Sequence, residues 1–171
     1  MTPRQKRIYK DPEKAVRWAI KHGQRFPEAE PYILKATDPG WSYGYAKAVL
    51  KGRWPEAEEA IAKDPLLAYH YALDVIKGRW PEVEPAIATD PGLAYRYAHY
   101  VVKGRWPEGE AAIATNPLDA LNYARWTIRG RFPEAEPAIA TNPHLAKSYL
   151  ELFPEAKLEW AMNGWLDWLD L

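Results

Sequence analysis

An Asp-Pro or Asn-Pro pair returns along this chain at one interval: Asp38, Asp64, Asp90, Asn116 and Asn142 stand 26 residues apart. Between the pairs one sentence is rewritten with edits, and residues 64–89, DPLLAYHYALDVIKGRWPEVEPAIAT, serve as its template. A fixed period of this size marks a tandem-repeat architecture, in which each copy is one supersecondary unit and burial happens between neighbours.

Within the template, Asp64 can cap a helix and Pro65 fits its first position, where a missing N–H costs nothing. This first helix is expected to run to about Lys77, with Gly78 supplying the left-handed residue that ends it. Trp80 precedes a proline, which favours extended backbone. Pro81 then opens a short second helix with Glu82 and Glu84 at the positive end of its dipole. Pro85 removes one backbone bond from that helix, a cost the aligned Glu59 and Ala111 do not carry. The expected fold is all-α, a right-handed α-solenoid of about six helix–turn–helix repeats starting near residues 11, 38, 64, 90, 116 and 142. Both end copies are atypical: the first has Trp18 where the template has Tyr71, and the last passes early into Phe153-Pro154. Residues 1–10 form a basic arm, 11–163 the array, and 164–171 a Trp-rich tail expected to cap the last hairpin.

Composition bears on the class of function. The 171 residues are 47% hydrophobic and include nine Trp and eleven Tyr, which argues against disorder. Lys plus Arg equal Asp plus Glu at 23 each, so net charge alone predicts no pull toward nucleic acid or an anionic membrane. Cysteine is absent, removing disulfides, thiolate metal sites and a cysteine nucleophile together. The N-terminal residues carry basic groups without an apolar stretch behind them, and no run of about 18 apolar residues occurs. A soluble, cytoplasmic protein is expected.

Comparing copies separates constant from variable columns. Ser42/Ala68/Ala94/Ala120, Tyr45/Tyr71/Tyr97/Tyr123, Ala46/Ala72/Ala98/Ala124 and Val49/Val75/Val101/Thr127 lie on one face of the first helix. Ala60/Ala86/Ala112/Ala138 and Ile61/Ile87/Ile113/Ile139 do the same for the second. These are expected core, with Trp54, Trp80 and Trp106 wedged between layers at the junction. Gly44/His70/Arg96/Asn122, Lys47/Leu73/His99/Arg125 and Ala48/Asp74/Tyr100/Trp126 change freely and share another face. Such a stripe is where an array places partner specificity. The expected partner-binding residues are His70, Asp74, Arg96, His99, Tyr100, Asn122, Arg125 and Trp126, with the Arg and aromatic side chains typical of interface hot spots at one end.

Signatures of chemistry are sparse. The four histidines occupy different positions within their copies, with no metal-ligand spacing among them. The two serines lie in no nucleophile elbow, and the Gly-Arg-Trp-Pro turns read as helix stops. Neither catalysis nor a cofactor is expected. Two basic columns, Lys51/Lys77/Lys103/Arg129 and Arg53/Arg79/Arg105/Arg131, interleave with aromatics and define an alternative polyanion-binding surface. Glutamates one short loop away (Glu56, Glu82, Glu108, Glu134) instead suit dipole complementarity and ion pairs between copies.

Two helices per copy, alternating Ala and Tyr, and proline at the turns resemble the helical-hairpin solenoids of the tetratricopeptide and Sel1-like class over about residues 11–163. The resemblance is architectural, because the 26-residue period is shorter and the Trp/Leu/Gly/Tyr pattern is not reproduced. Residues 122–129 are also similar to the Asn-Tyr-x-x-Trp-x-x-Arg signature of prenyltransferase α-subunit repeats, in a single copy. The resulting expectation is a non-enzymatic protein- or peptide-binding scaffold, with nucleic acid or another polyanion as the alternative ligand.

Overall fold

Each Asp-Pro or Asn-Pro pair starts a helix. In the computed structural model, which describes residues 1–166, the side chains of Asp11, Asp64, Asp90, Asn116 and Asn142 accept hydrogen bonds from backbone N–H groups of the helices they precede. Asp38 does the same for the Gly40 amide at 2.8 Å. The described residues are helical, without a strand. They fall into two compact units, residues 1–83 and, from Glu84 onward, the rest.

In the first unit, a short N-terminal helix, α1 (Gln5–Ile8), precedes α2 (Pro12–His22) and α3 (Glu30–Leu34). Then follow α4 (Gly40–Tyr45), α5 (Pro55–Ile61) and α6 (Pro65–Tyr71). In the second unit come α7 (Glu84–Ile87), α8 (Pro91–Arg96), α9 (Pro107–Ile113) and α10 (Pro117–Asn122). They are followed by α11 (Glu136–Ala140), α12 (Pro143–Leu152) and α13 (Lys157–Met162). First helices of successive copies pack side by side within each unit: α2 on α4 and α4 on α6, then α8 on α10 and α10 on α12. Four of them, α2, α4, α8 and α10, also pack on the second helix of their own copy, α3, α5, α9 and α11.

The inner first helices do not end as the glycine suggested. Each widens into a π-helical turn, Ala46–Leu50, Ala72–Ile76, Tyr97–Val102 and Tyr123–Ile128. The left-handed residue is the one before the glycine: Lys51, Lys77, Lys103 and Arg129 have φ of 54°, 58°, 62° and 51°. The reason is one extra residue. In the first copy Gly23 takes the left-handed conformation four residues after Ala19; in the template Lys77 does so five residues after the equivalent Ala72. The Ala72 carbonyl then accepts from both the Lys77 and the Gly78 amides. A π turn is how a helix absorbs a single inserted residue.

Proline placement explains the uneven second helices. Where the fifth junction residue is Glu59 or Ala111, α5 and α9 run seven residues from Pro55 and Pro107. Where it is Pro31, Pro85 or Pro137, the α-helix begins only at the preceding glutamate, so the proline sits in the first turn with no bond to lose.

The core columns are buried. Tyr45, Tyr71, Tyr97, Tyr123 and Tyr149 are fully inaccessible, as are the Ala46 column and Ile61, Ile87, Ile113 and Ile139. Trp54, Trp80 and Trp106 are nearly so. The Ala60 column is only half-buried; Ala57, Val83, Gly109 and Ala135 turn inward instead, because the short second helix buries the i, i+4 line that ends on the isoleucine. At the C-terminus Trp160 stacks on Tyr149 and meets Trp165 edge-on, and Leu166 is buried. The rest of the expected capping tail, 167–171, lies outside the described residues.

Candidate functional site

The constant polar residues form a repeated lock. The Trp54 amide donates to the Tyr71 hydroxyl at 2.7 Å, and that hydroxyl donates to Glu58 Oε1 at 3.1 Å. Arg53 grips both oxygens of the same carboxylate at 2.8 and 2.7 Å. Phe26, Tyr45, Glu30 and Arg25 repeat the arrangement, as do Trp106, Tyr123, Glu110 and Arg105. Phe132, Tyr149, Glu136 and Arg131 form it again, with Trp160 Nε1 donating to Glu136 Oε2 at 2.7 Å and Arg131 also reaching Glu159. The tyrosine of one copy therefore bonds the junction backbone of the copy before it. Its ring packs on the junction aromatic of its own copy, Tyr45 on Trp54 and Tyr71 on Trp80 at 5.2 Å.

Burial pushes the Tyr71 hydroxyl up to about 12, keeping it a donor. The hydrogen bonds from Arg53 hold the Glu58 carboxyl below its ordinary range, and Arg25 does the same for Glu30. For Glu136, burial opposes ionisation, but bonds from Arg131, Trp160 and Tyr149 outweigh it and the carboxyl stays lowered.

This network divides the two expected basic columns. Arg53, Arg105 and Arg131 are held in two-pronged contact with glutamates, and Arg79 occupies the same column position. Their partners are Glu58, Glu110 and Glu136, not the expected Glu56, Glu108 and Glu134. The Lys51, Lys77, Lys103 and Arg129 column is exposed, and none of the four has an ion-pair partner among the described residues. The spacing Arg-x-x-x-x-Glu recurs at Arg25, Arg53, Arg105 and Arg131, and that recurrence is the sequence signal for the lock.

The variable stripe lies elsewhere on the first helices. Arg96, Tyr100, Arg125 and Trp126 are exposed, while His70, Asp74, His99 and Asn122 are half-buried. In the first unit, neighbouring copies satisfy one another: Asp74 accepts from Lys47 Nζ at 2.8 Å and from the Tyr43 hydroxyl, and His70 lies near the Tyr43 ring. In the second unit, His99 Nδ1 lies 3.0 Å from Thr127 Oγ1 and the Tyr100 ring stands edge-on to His99. The Arg125 guanidinium sits 4.4 Å over the Trp126 ring. Tyr100 and Trp126, equivalent positions of adjacent copies, are the exposed aromatic side chains among the described residues, at 50% and 52%. Among the described residues, no helix is long and apolar enough to cross a membrane. No protein-family model, no curated protein and no solved structure matches this chain, so its function is argued from these residues alone.

Proposed function

We propose that the chain is a non-enzymatic scaffold: a right-handed α-solenoid of the tetratricopeptide or Sel1-like kind that binds a protein or peptide on the outward stripe of its first helices. The observation that carries this reading is the pair Tyr100 and Trp126, half in solvent in a chain whose other repeat-core Tyr and Trp are buried. Large exposed aromatics flanked by Arg96 and Arg125 are the side-chain types that dominate binding energy at protein interfaces. The lock supports the division of labour, because constant residues hold copies together and leave the variable face free. A cytoplasmic setting fits the absence of cysteine.

The polyanion alternative keeps one supporting observation, the Lys51/Lys77/Lys103/Arg129 column without ion pairs among the described residues, but Arg53, Arg105 and Arg131 of its other half are committed to glutamates. The direct test is affinity capture from the source cells with wild-type protein and an Arg96→Glu/Arg125→Glu variant. The variant should keep its helical circular dichroism and lose the captured partner; unchanged capture removes the proposal.

A further inference from the structure

The same address in the repeat is filled differently in the two units. In the first unit, Asp74 brings a carboxylate onto Lys47 and Tyr43 of the preceding copy, so a negative group from the chain itself occupies the place. In the second unit, the positions of Tyr43, Lys47 and Asp74 are held by Tyr95, His99 and Trp126. The internal carboxylate is gone. Beside the Trp126 ring that replaces it lies an open pocket of about 460 Å³ lined by His99, Lys103, Trp126, Thr127 and Arg129.

No acidic residue lines that pocket, and neither Lys103 nor Arg129 has an ion-pair partner among the described residues. Their backbones are fixed in the left-handed conformation at the ends of π turns, so each long side chain starts from a defined point. Trp126 supplies an apolar wall beside the two cations.

We propose that this pocket takes an acidic side chain, Asp or Glu, of a bound peptide. The carboxylate pairs with Lys103 and Arg129, and an adjacent apolar peptide residue lies against Trp126. This deepens the scaffold reading and rests on it. Two observations favour a peptide carboxylate over a nucleic-acid backbone. In the first unit the chain satisfies the basic residue at the His99 position, Lys47, with a side-chain carboxylate, that of Asp74. The arginines that would extend a phosphate track, Arg105 and Arg131, are already engaged by Glu110 and Glu136, which leaves the second unit with Lys103 and Arg129 but without the alternating arginines of such a track.

The test uses the full chain on an immobilised random octapeptide library, with an oligothymidylate 20-mer as competitor. Wild-type protein should retain a pool enriched in Asp and Glu, and Lys103→Gln/Arg129→Gln should weaken retention of that pool about tenfold, the effect shrinking with salt. A retained pool without acidic preference, or one the double variant keeps, overturns the inference while the scaffold reading stands. No retained pool overturns both. Displacement of the peptides by oligothymidylate at lower concentration than by the peptides themselves overturns it in favour of nucleic acid.

Discussion

The Tyr123 hydroxyl lies 2.8 Å from the Trp106 amide nitrogen, seventeen residues earlier in the chain, and accepts its hydrogen. That bond ties one copy to the junction of the one before, and the same hydroxyl donates to Glu110. Trp18 takes the equivalent position in the first copy.

Tyr123→Phe removes this link without changing ring packing. It leaves a buried amide without its acceptor and Glu110 without one donor, a loss of about 1–3 kcal/mol. Urea unfolding should show that decrease with the native helical content unchanged.

Acid should loosen the locks. Glu30, Glu58 and Glu136 hold folded values below their ordinary 4.5, so the unfolded chain takes up protons first as pH falls. Their contribution is complete above about pH 4.5 and disappears as pH drops through the lowered values. Thermal midpoints measured from pH 7 to 3 should stay level in this respect and then fall. Glu58→Gln should start lower at pH 7 and fall less steeply.

Lys77→Gly places glycine where φ is 58°. Relief of left-handed strain exceeds the extra freedom glycine gains on unfolding, for a gain of about 0.5–1 kcal/mol. Lys77→Pro, whose φ is fixed near −65°, should instead disrupt the helix end. Chemical denaturation of the pair reads both directions.

Gly109 is the place where a junction tryptophan presses closest. A methyl there would stand 2.4 Å from the Trp106 ring, whose buried Nε1 has no hydrogen-bond partner among the described residues. Gly109→Ala should cost about 1–3 kcal/mol by overpacking. Combining it with Trp106→Phe should recover part of the loss, because the smaller ring gives up atoms that the added methyl would meet, and a double-mutant cycle measures that coupling.

The periodicity made the helices, their caps and the tyrosine, alanine and isoleucine core legible in the sequence, since each follows from local spacing. Pro85 and its equivalents were legible as well, and they shift the helix start as a missing N–H requires. The π turns were hidden because Lys-Gly reads as an ordinary helix stop; only the one-residue difference between Ala19–Phe26 and Ala72–Trp80 betrays them. The lock was half visible. Glu58 and its equivalents looked like dipole partners, and only the fold brings the tyrosine of the next copy onto them. At the stripe, sequence spacing put Asp74 and Trp126 in one column, but not that Lys47 would claim the first while the second stays half in solvent beneath Arg125.

Thermal unfolding of Trp126→Ala beside Tyr123→Phe separates the locked residues of this chain from its proposed binding face. Trp126→Ala should keep the wild-type midpoint within about one degree and lose peptide retention, while Tyr123→Phe should fall by several degrees. A Trp126→Ala midpoint as low as that of Tyr123→Phe would show that the exposed face is part of the core and contradict the account.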